Sequence, residues 1–547
     1  MLPGKRGLFI SLAYFTAVAA WLTWPLIPRL ATGLSGNPDT LLNVWALGWS
    51  FHVLPRDPLS LFDANIFAPR PDTLAYSEHL FGITALVSPV YWGTGNLILS
   101  YNVAVFASFV LSGLGMFLLT RELTGNGWAA LAAGTIFLAA PYRFQHLVQL
   151  QLLTYQWFPF FFWCLLRFLH GGKTRYVAGM VVFSLLQILS CNYYAVYLSI
   201  AAIVFGLVLL FMERNLLSVT QLAKLAAGAL IVFLLALPFI LPYQRNRERG
   251  FFRRYTDVVH FSASASEYVT PSAFNDAPHL RFLPRSGKAL FPGFTAALLA
   301  ALGLFHRNRR SRVFWVFAVA LTVVALILSF GPEARFDDRV VPLPYRFLQL
   351  YFPGFSGMRV PARFAALVLV GGSMLAAWGA KLVLERSRNY APFAAAGILG
   401  LLLFEYQTSP LDRILPEPPP IPPVHRWLAD APSPGAVLVL PIHESEQIVQ
   451  ESFYMYYSTV HFKPLVNGYS GWWPNDYWEL VGRLRHFPTA RILRFLMERA
   501  PVRYVVIHYG RIPQPRRRHL EAAMDRYSER MPERFRDGED AVYEIVR

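Results

Sequence analysis

The chain of 547 residues is 55% hydrophobic and only 15% charged, with 50 Lys and Arg against 33 Asp and Glu, a formal net charge of +17. That composition excludes an ordinary soluble enzyme and a disordered chain, and it reads as a polytopic membrane protein. The only two cysteines, Cys164 and Cys191, lie in or beside apolar runs, so neither a disulfide framework nor a cysteine metal site is in prospect.

The first apolar run, 8–28, is long enough to cross a bilayer. Its start, MLPGKRG, and the small residues Ala17, Ala19 and Ala20 resemble a secretory signal, but further spans follow, so it reads as an uncleaved first helix. Residues 29–99 are too polar and too rich in proline to cross and form a large first outer loop. It holds Asp39, Asp57, Asp63, Asp72 and Glu78. From Leu41 to Trp49 apolar residues recur at helical spacing, and Trp45 and Trp49 suit a helix lying in the membrane interface. Asp39, between Pro38 and Thr40, is either the cap of that helix or an acid at the membrane surface within reach of a lipid headgroup. The stretch 80–98 is apolar but carries Pro89, Gly93 and Gly95, and is expected to lie along the surface or re-enter.

Further spans are expected at 100–120, 128–141, 151–168, 176–190, 195–212, 222–241, 289–305, 312–330, 364–383 and 390–405, about eleven helices in all. If 80–98 does not cross, the short basic loops share one side: Lys5-Arg6, Arg121, Lys173 with Arg175, Arg214, HRNRRSR at 306–312 and KLVLERSR at 381–388. The positive-inside rule makes that side cytoplasmic, with the amino terminus inside and the carboxy terminus outside. The outer loops then collect few polar groups, all near helix ends. These are His146 and Gln149 in 142–150, Tyr193 and Tyr194 in CNYY, and Glu78 with His79 at the far end of the first loop. A Glu-His pair could bind a metal or tune a proton transfer, or be a solvated loop pair. Arg245, Arg253 and Arg254 open the loop 243–288, and Arg359 and Arg363 close the loop 331–363. Arginine on an outer face presents a fork suited to phosphate; headgroup contact is the plainer alternative.

After 405 the composition changes. A Pro-rich linker fills 406–423, and 424–547 reads as a soluble α/β domain. Strands are expected at 436–442, 502–509 and 541–546 and helices at 446–460, 475–500 and 515–529. No Gly-rich phosphate loop, HExxH or nucleophile elbow is present, and nothing points to a nucleic-acid partner.

With Pro38-Asp39-Thr40, Ala75-Tyr76-Ser77-Glu78-His79 and Met358-Arg359-Val360-Pro361-Ala362-Arg363-Phe364 in place, residues 1–405 resemble the GT-C superfamily of membrane glycosyltransferases. Protein O-mannosyltransferases, the aminoarabinose transferases of lipid A and oligosaccharyltransferase catalytic subunits belong to it, and a bacterial integral-membrane branch is the most similar part. The resemblance implies that the first-loop acid, here Asp39, is catalytic, with Glu78 the next acid in line. It implies a sugar donor on a polyprenyl phosphate, an envelope acceptor (lipid, glycan or protein) and an inverting single displacement on the outer face of a bacterial cytoplasmic membrane. The usual Asp-Glu pair is missing, since Thr40 follows Asp39, so no cofactor is assigned and a divalent metal is left open. Two rival classes remain: a transporter or lipid flippase, which would place ionisable groups inside spans or pair broken helices, and a non-catalytic scaffold for envelope assembly. Cysteine labelling from outside tests the topology: a Cys placed near Gly510 labels and one near Arg309 is protected, and the opposite pattern reverses the orientation.

Overall fold

The computed structural model describes residues 4–35, 37–213, 217–306, 311–336, 339–352, 354–408, 418–432 and 434–546. Arg214, most of the basic loop at 306–312 and residues 409–417 of the Pro-rich linker lie outside them. Each apolar run expected to span is helical. Among the described residues six helices are long and apolar enough to cross a membrane: Leu97–Thr124, Leu150–Gly171, Asn192–Met212, Val219–Glu248, Arg312–Ser329 and Pro361–Arg386. Arg6–Leu22, Thr174–Ser190 and Phe294–Gly303 are shorter apolar helices. The chain is a multi-pass membrane protein. Residues 80–98 contain a helix of 14 residues, Phe81–Thr94, with Pro89 inside it. At about 1.5 Å per residue it falls well short of a hydrocarbon core about 30 Å thick. Gly95 ends it at φ +65°, where the left-handed turn lets its N–H bond back to the Tyr91 carbonyl.

The chain folds into two compact units, neither contiguous in sequence. The first comprises Met1–Leu30, Asn102–Phe239 and Gly250–Arg413. Its central helix, Ala365–Arg386, packs against Phe294–Gly303, Arg312–Ser329 and Gly127–Ala139. Close approach is made by glycine: a Cβ on Gly379 would run into the Leu299 carbonyl, and one on Gly303 into that of Leu375. Small residues at the crossing bring the backbones together, which is how helices associate where lipid removes the hydrophobic drive. Glu405, buried, accepts the backbone N–H groups of Phe294 and, at 2.8 Å, Thr295, placing a carboxylate at the positive end of the Phe294–Gly303 helix.

The second unit comprises Ala31–Tyr101, Ile240–Arg249 and Ile414–Arg547, so the first loop folds with the carboxy-terminal region rather than standing apart from it. Its sheet has strand order Ala436–Leu440, Val502–His508, Asp540–Glu544, Glu533–Asp537, the first pair parallel and the others antiparallel. The expected helix at 475–500 is two, Asn475–Leu484 and Ala490–Arg499, divided around Phe487-Pro488. The helix Pro38–Val53 is buried on nearly every side from Thr40 to Phe51 and packs on Glu451–Ser458. This corrects the expectation of an interfacial helix. Trp45 and Trp49 are core residues whose indole N–H groups donate to Asn65 Oδ1 (2.9 Å) and the Leu61 carbonyl (2.8 Å). Asn65 in turn donates to Ser458 Oγ and the Lys463 carbonyl, both at 3.2 Å. Backbone pairing continues the tie, from Leu465 N to Asn65 O, Ala68 N to Leu465 O and Phe67 N to Asn467 O.

Asp72 locks the far end of the loop. Arg245 grips its carboxylate with two bonds, Nε to Oδ2 at 2.9 Å and Nη2 to Oδ1 at 2.5 Å, and Arg249 Nη1 reaches Oδ2 at 3.0 Å. The Asp72 side chain is 5% exposed, while those of Arg245 and Arg249 are 49% and 37% exposed. The bonds from Arg245 hold the Asp72 carboxyl below the usual carboxylate range. A depressed folded-state pKa stabilises fully above the unfolded-state value of about 3.9 and loses that contribution as pH falls through the folded value. Asp72→Asn should therefore lower stability by about 1 kcal/mol at neutral pH, because the solvent-screened Arg245 and Arg249 forks lose a buried charged acceptor. Thermal unfolding of parent and variant should converge only as pH falls from about 4 through the depressed folded-state value; a gap unchanged through that acid range would remove the ion pair as its cause.

Candidate functional site

Four of the sequence candidates, Asp39, Glu78, His79 and Arg245, belong to the second unit, and the other eight to the first. In the second unit, Pro38 opens the helix Pro38–Val53 and the residue before it, Asn37, is the cap: its Oδ1 accepts from Asp39 N at 3.0 Å. The capping alternative for Asp39 is thereby corrected. Its side chain, half-buried in the first turn, instead accepts the Tyr469 hydroxyl at 3.1 Å. The sequence carried a signal for this, since proline favours the first helical position and makes the preceding Asn the natural cap. Tyr469 gave none, lying 430 positions away.

Glu78 is half-buried and follows Ser77, whose carbonyl accepts from Tyr243 Oη at 2.9 Å. His79 is corrected as a substrate or metal group. It is 2% exposed, its Nδ1 accepts from Phe81 N at 3.1 Å, and burial pushes its pKa down to about 3, so the ring is neutral at ordinary pH. Arg245 is corrected as a phosphate binder, because its fork is committed to Asp72. Among the described residues no three of His, Cys, Asp and Glu are grouped so as to hold a metal ion.

In the first unit the structure gathers most of the remaining candidates. Tyr193 and Tyr194 open the helix Asn192–Met212. Arg359 follows the turn Phe355–Gly357, and Arg363 lies in the turn Pro361–Phe364 that leads into the central helix. The Arg359 backbone N–H donates to Tyr193 Oη at 3.0 Å, and the Arg363 guanidinium lies over the Tyr193 ring at 4.6 Å. Arg253 joins them: burial and the neighbouring charges of Arg359 and Arg363 hold its pKa below the usual arginine value, against Tyr193 and Asp257. The buried Nε of Arg363 has no hydrogen-bond partner. His146 lies close to Arg363; its Nδ1–H donates to Gln149 Oε1 at 2.9 Å, and burial holds its pKa at about 3. Tyr194 donates to the Leu152 carbonyl at 2.8 Å and its hydroxyl is 3.3 Å from that of Tyr142. These two groups are the wall of the cluster. Arg254, exposed at the start of Tyr255–His260, is not drawn in.

Sequence reasoning missed three neighbours. Tyr142 carries no motif. Arg143, fully buried, donates to Ser108, Ser112 and the Leu153 carbonyl and is sandwiched by the Phe109 and Tyr155 rings. Arg346 shares with Arg253, Gln349, Phe252 and Leu350 a cavity of about 300 Å³. Two guanidinium groups and two apolar side chains in its lining give that cavity both basic and apolar character.

No known protein family matches the sequence, and no curated protein does. Solved structures do. The mycobacterial arabinofuranosyltransferase AftD superposes with a TM-score of 0.63 at 16% identity, over 100% of this chain and 40% of that one. Archaeal oligosaccharyltransferase AglB from Archaeoglobus fulgidus, solved with an inhibitory peptide and a dolichol-phosphate, superposes with a TM-score of 0.52 at 13% identity, over 92% of this chain and 70% of that one. The chain has the GT-C fold. The resemblance drawn from the sequence thus holds at the level of fold, and the chain spans well under half the length of the arabinofuranosyltransferase. Within this GT-C fold, the cap assignment has a measurable consequence. Asn37→Ala should lower the thermal midpoint by an amount equivalent to about 1 kcal/mol, and Asn37→Asp should restore it; a silent Asn37→Ala would return the capping role to Asp39.

Proposed function

We propose that the protein is a glycosyltransferase that moves a sugar from a polyprenyl-phosphate donor to an envelope acceptor. The observation that carries this is the Arg363 guanidinium over Tyr193 at 4.6 Å with its buried Nε unbonded, beside Arg359, whose backbone N–H donates to the same tyrosine and whose guanidinium lies over Phe261 at 5.0 Å. Arginine forks suit phosphate oxygens, and the adjoining cavity offers Phe252 and Leu350 to the first units of an apolar chain. The GT-C fold supports the reading, as does the dolichol-phosphate named with AglB.

In this reading Asp39 is the general base. Its carboxylate, held by the Tyr469 hydroxyl and not spent on capping, takes the proton of the acceptor hydroxyl. That oxygen forms a bond to the anomeric carbon as the bond from that carbon to the phosphate oxygen breaks. The electron pair leaves with the polyprenyl phosphate. A single displacement of this kind inverts the anomeric centre. Neutral His146, fixed by Gln149, contributes a polar wall rather than a charge. The outer compartment supplies no nucleotide sugars, which is why the donor is lipid-linked and the reaction is assigned to the outer face of the cytoplasmic membrane.

Transfer from a synthetic polyprenyl-phosphate sugar by the purified protein tests both parts. Asp39→Asn should fold and melt like the parent yet turn over at least about 100-fold more slowly. Arg359→Lys and Arg363→Lys should each lose about tenfold or more, because the charge is kept but the fork is lost. Normal turnover by Asp39→Asn would move the base to Glu78, and fully active Lys variants would reduce both arginines to headgroup contacts.

A further inference from the structure

The carboxy-terminal part of the second unit holds a polar cavity of about 390 Å³ lined by His443, Gln447, Gln450, Phe453 and Arg511. Its back wall is unusually well fixed. Glu451, fully buried, accepts both the backbone N–H of His443 (2.9 Å) and the His443 Nδ1–H (2.8 Å) through one oxygen, and Asn467 Nδ2 (2.8 Å) through the other. Asn467 is itself clamped to the backbone of Val439 by 2.7 and 2.9 Å bonds, on the parallel strand Ala436–Leu440. With Nδ1 engaged, the imidazole atom left for the cavity is Nε2, and the chain behind it sets the ring's tautomer and orientation.

Arg511 faces the same space. Its Nη2 donates to Tyr457 Oη at 2.8 Å, and its guanidinium lies 5.6–5.7 Å from the ring centres of Phe453, Tyr454 and Tyr457. Tyr454 shares a second side-chain hydrogen bond with it, and the N–H groups beyond these two are left for a ligand. No carboxylate among the described residues pairs with it: Glu451 is spent on His443 and Asn467, and Glu444 pairs with Arg485 at 2.7 Å. The exposed amides of Gln447 and Gln450 add donors and acceptors, and Phe453 adds an apolar face.

We infer that this cavity is a binding site for an acidic sugar, a pyranose ring carrying a carboxylate. Arg511 takes the carboxylate, the imidazole and the two amides take ring hydroxyls, and Phe453 covers the C–H face. Each group matches one part of such a ligand, and the volume lies in the range of small-molecule sites. The site depends on neither Asp39 nor the Arg253, Arg359 and Arg363 cluster, so it stands or falls apart from the proposed transfer reaction.

The test is titration of the full-length protein in nanodiscs with D-glucuronate, followed by saturation-transfer NMR, with D-glucose and acetate as competitors. Saturable glucuronate binding is expected, weakened about tenfold or more by Arg511→Gln and by His443→Gln, since each removes a directed polar partner. The double variant Gln447→Ala/Gln450→Ala alters only exposed side chains, keeps the parent's thermal midpoint, and should also weaken binding. Arg359→Gln should leave it unchanged. The proposal is overturned if no saturable binding is seen, or if Arg511→Gln and the double variant both bind like the parent. It is overturned too if acetate competes as well as glucuronate, which makes the site an anion site alone, or if Arg359→Gln abolishes the signal, which moves it to the arginine cluster.

Discussion

The Asn65 side chain holds the second unit together. It is 5% exposed, and its amide is satisfied on both ends by groups far apart in sequence: Trp45 donates to it, and it donates to Ser458 and Lys463. A buried amide that met none of these would carry the whole desolvation cost of a polar group in an apolar interior. Met in full, it fixes the rotation of the helix Pro38–Val53 against Glu451–Ser458. That rotation sets where the first turn of the helix presents Asp39, and the segment after Lys463 brings Tyr469 to it. The geometry of the acid is therefore decided by residues of the carboxy-terminal region, not by the loop that carries it.

Arginine meets three different fates in this chain, and the environment decides which. Arg245 and Arg249 end a helix next to a buried carboxylate and become structural. Arg143 is buried without a carboxylate; it donates to two serine hydroxyls and a carbonyl and lies against two aromatic faces, while its Nε has no hydrogen-bond partner. Arg253, Arg359 and Arg363 sit near one another around one tyrosine. Like charges crowded together raise each other's energy, so such a group is stable chiefly when an anion completes it.

Much of the fold was legible because apolar runs of helical length have few alternatives in a chain this hydrophobic. The strands 436–440, 502–508 and 540–544 were legible for the same reason: they are short, continuous and buried. The strand Glu533–Asp537 was not, because ERFRD is an exposed, charged edge with no alternation to detect. Trp45 and Trp49 were misassigned because tryptophan at helical spacing looks alike at a bilayer interface and in a protein core; what separates the two is an acceptor for each indole N–H, and Asn65 and Leu61 supply them from elsewhere. Asp72 passed unnoticed among five loop acids because its partners lie 173 and 177 positions downstream. Arg359, Arg363, Tyr193, His146 and Gln149 could be nominated singly from their places at helix ends, but only the fold puts them in one neighbourhood.

The ties made by Asn65 also set a timetable for biosynthesis. Asn65 and Lys463 are 398 positions apart. At about 5–20 residues per second the ribosome needs roughly 20–80 s to travel between them. Throughout that interval the first loop is already made while its partner segment has yet to be translated, and two tryptophans destined for the interior lack their final surroundings. The nascent loop is thus a client for whatever holds unfinished segments at the translocation site, and its helix is finished only when the end of the chain arrives. A stop codon between Arg386 and Lys463 leaves the long apolar helices without the segment that positions Asp39, so loss of a distal stretch becomes equivalent to loss of the acid itself.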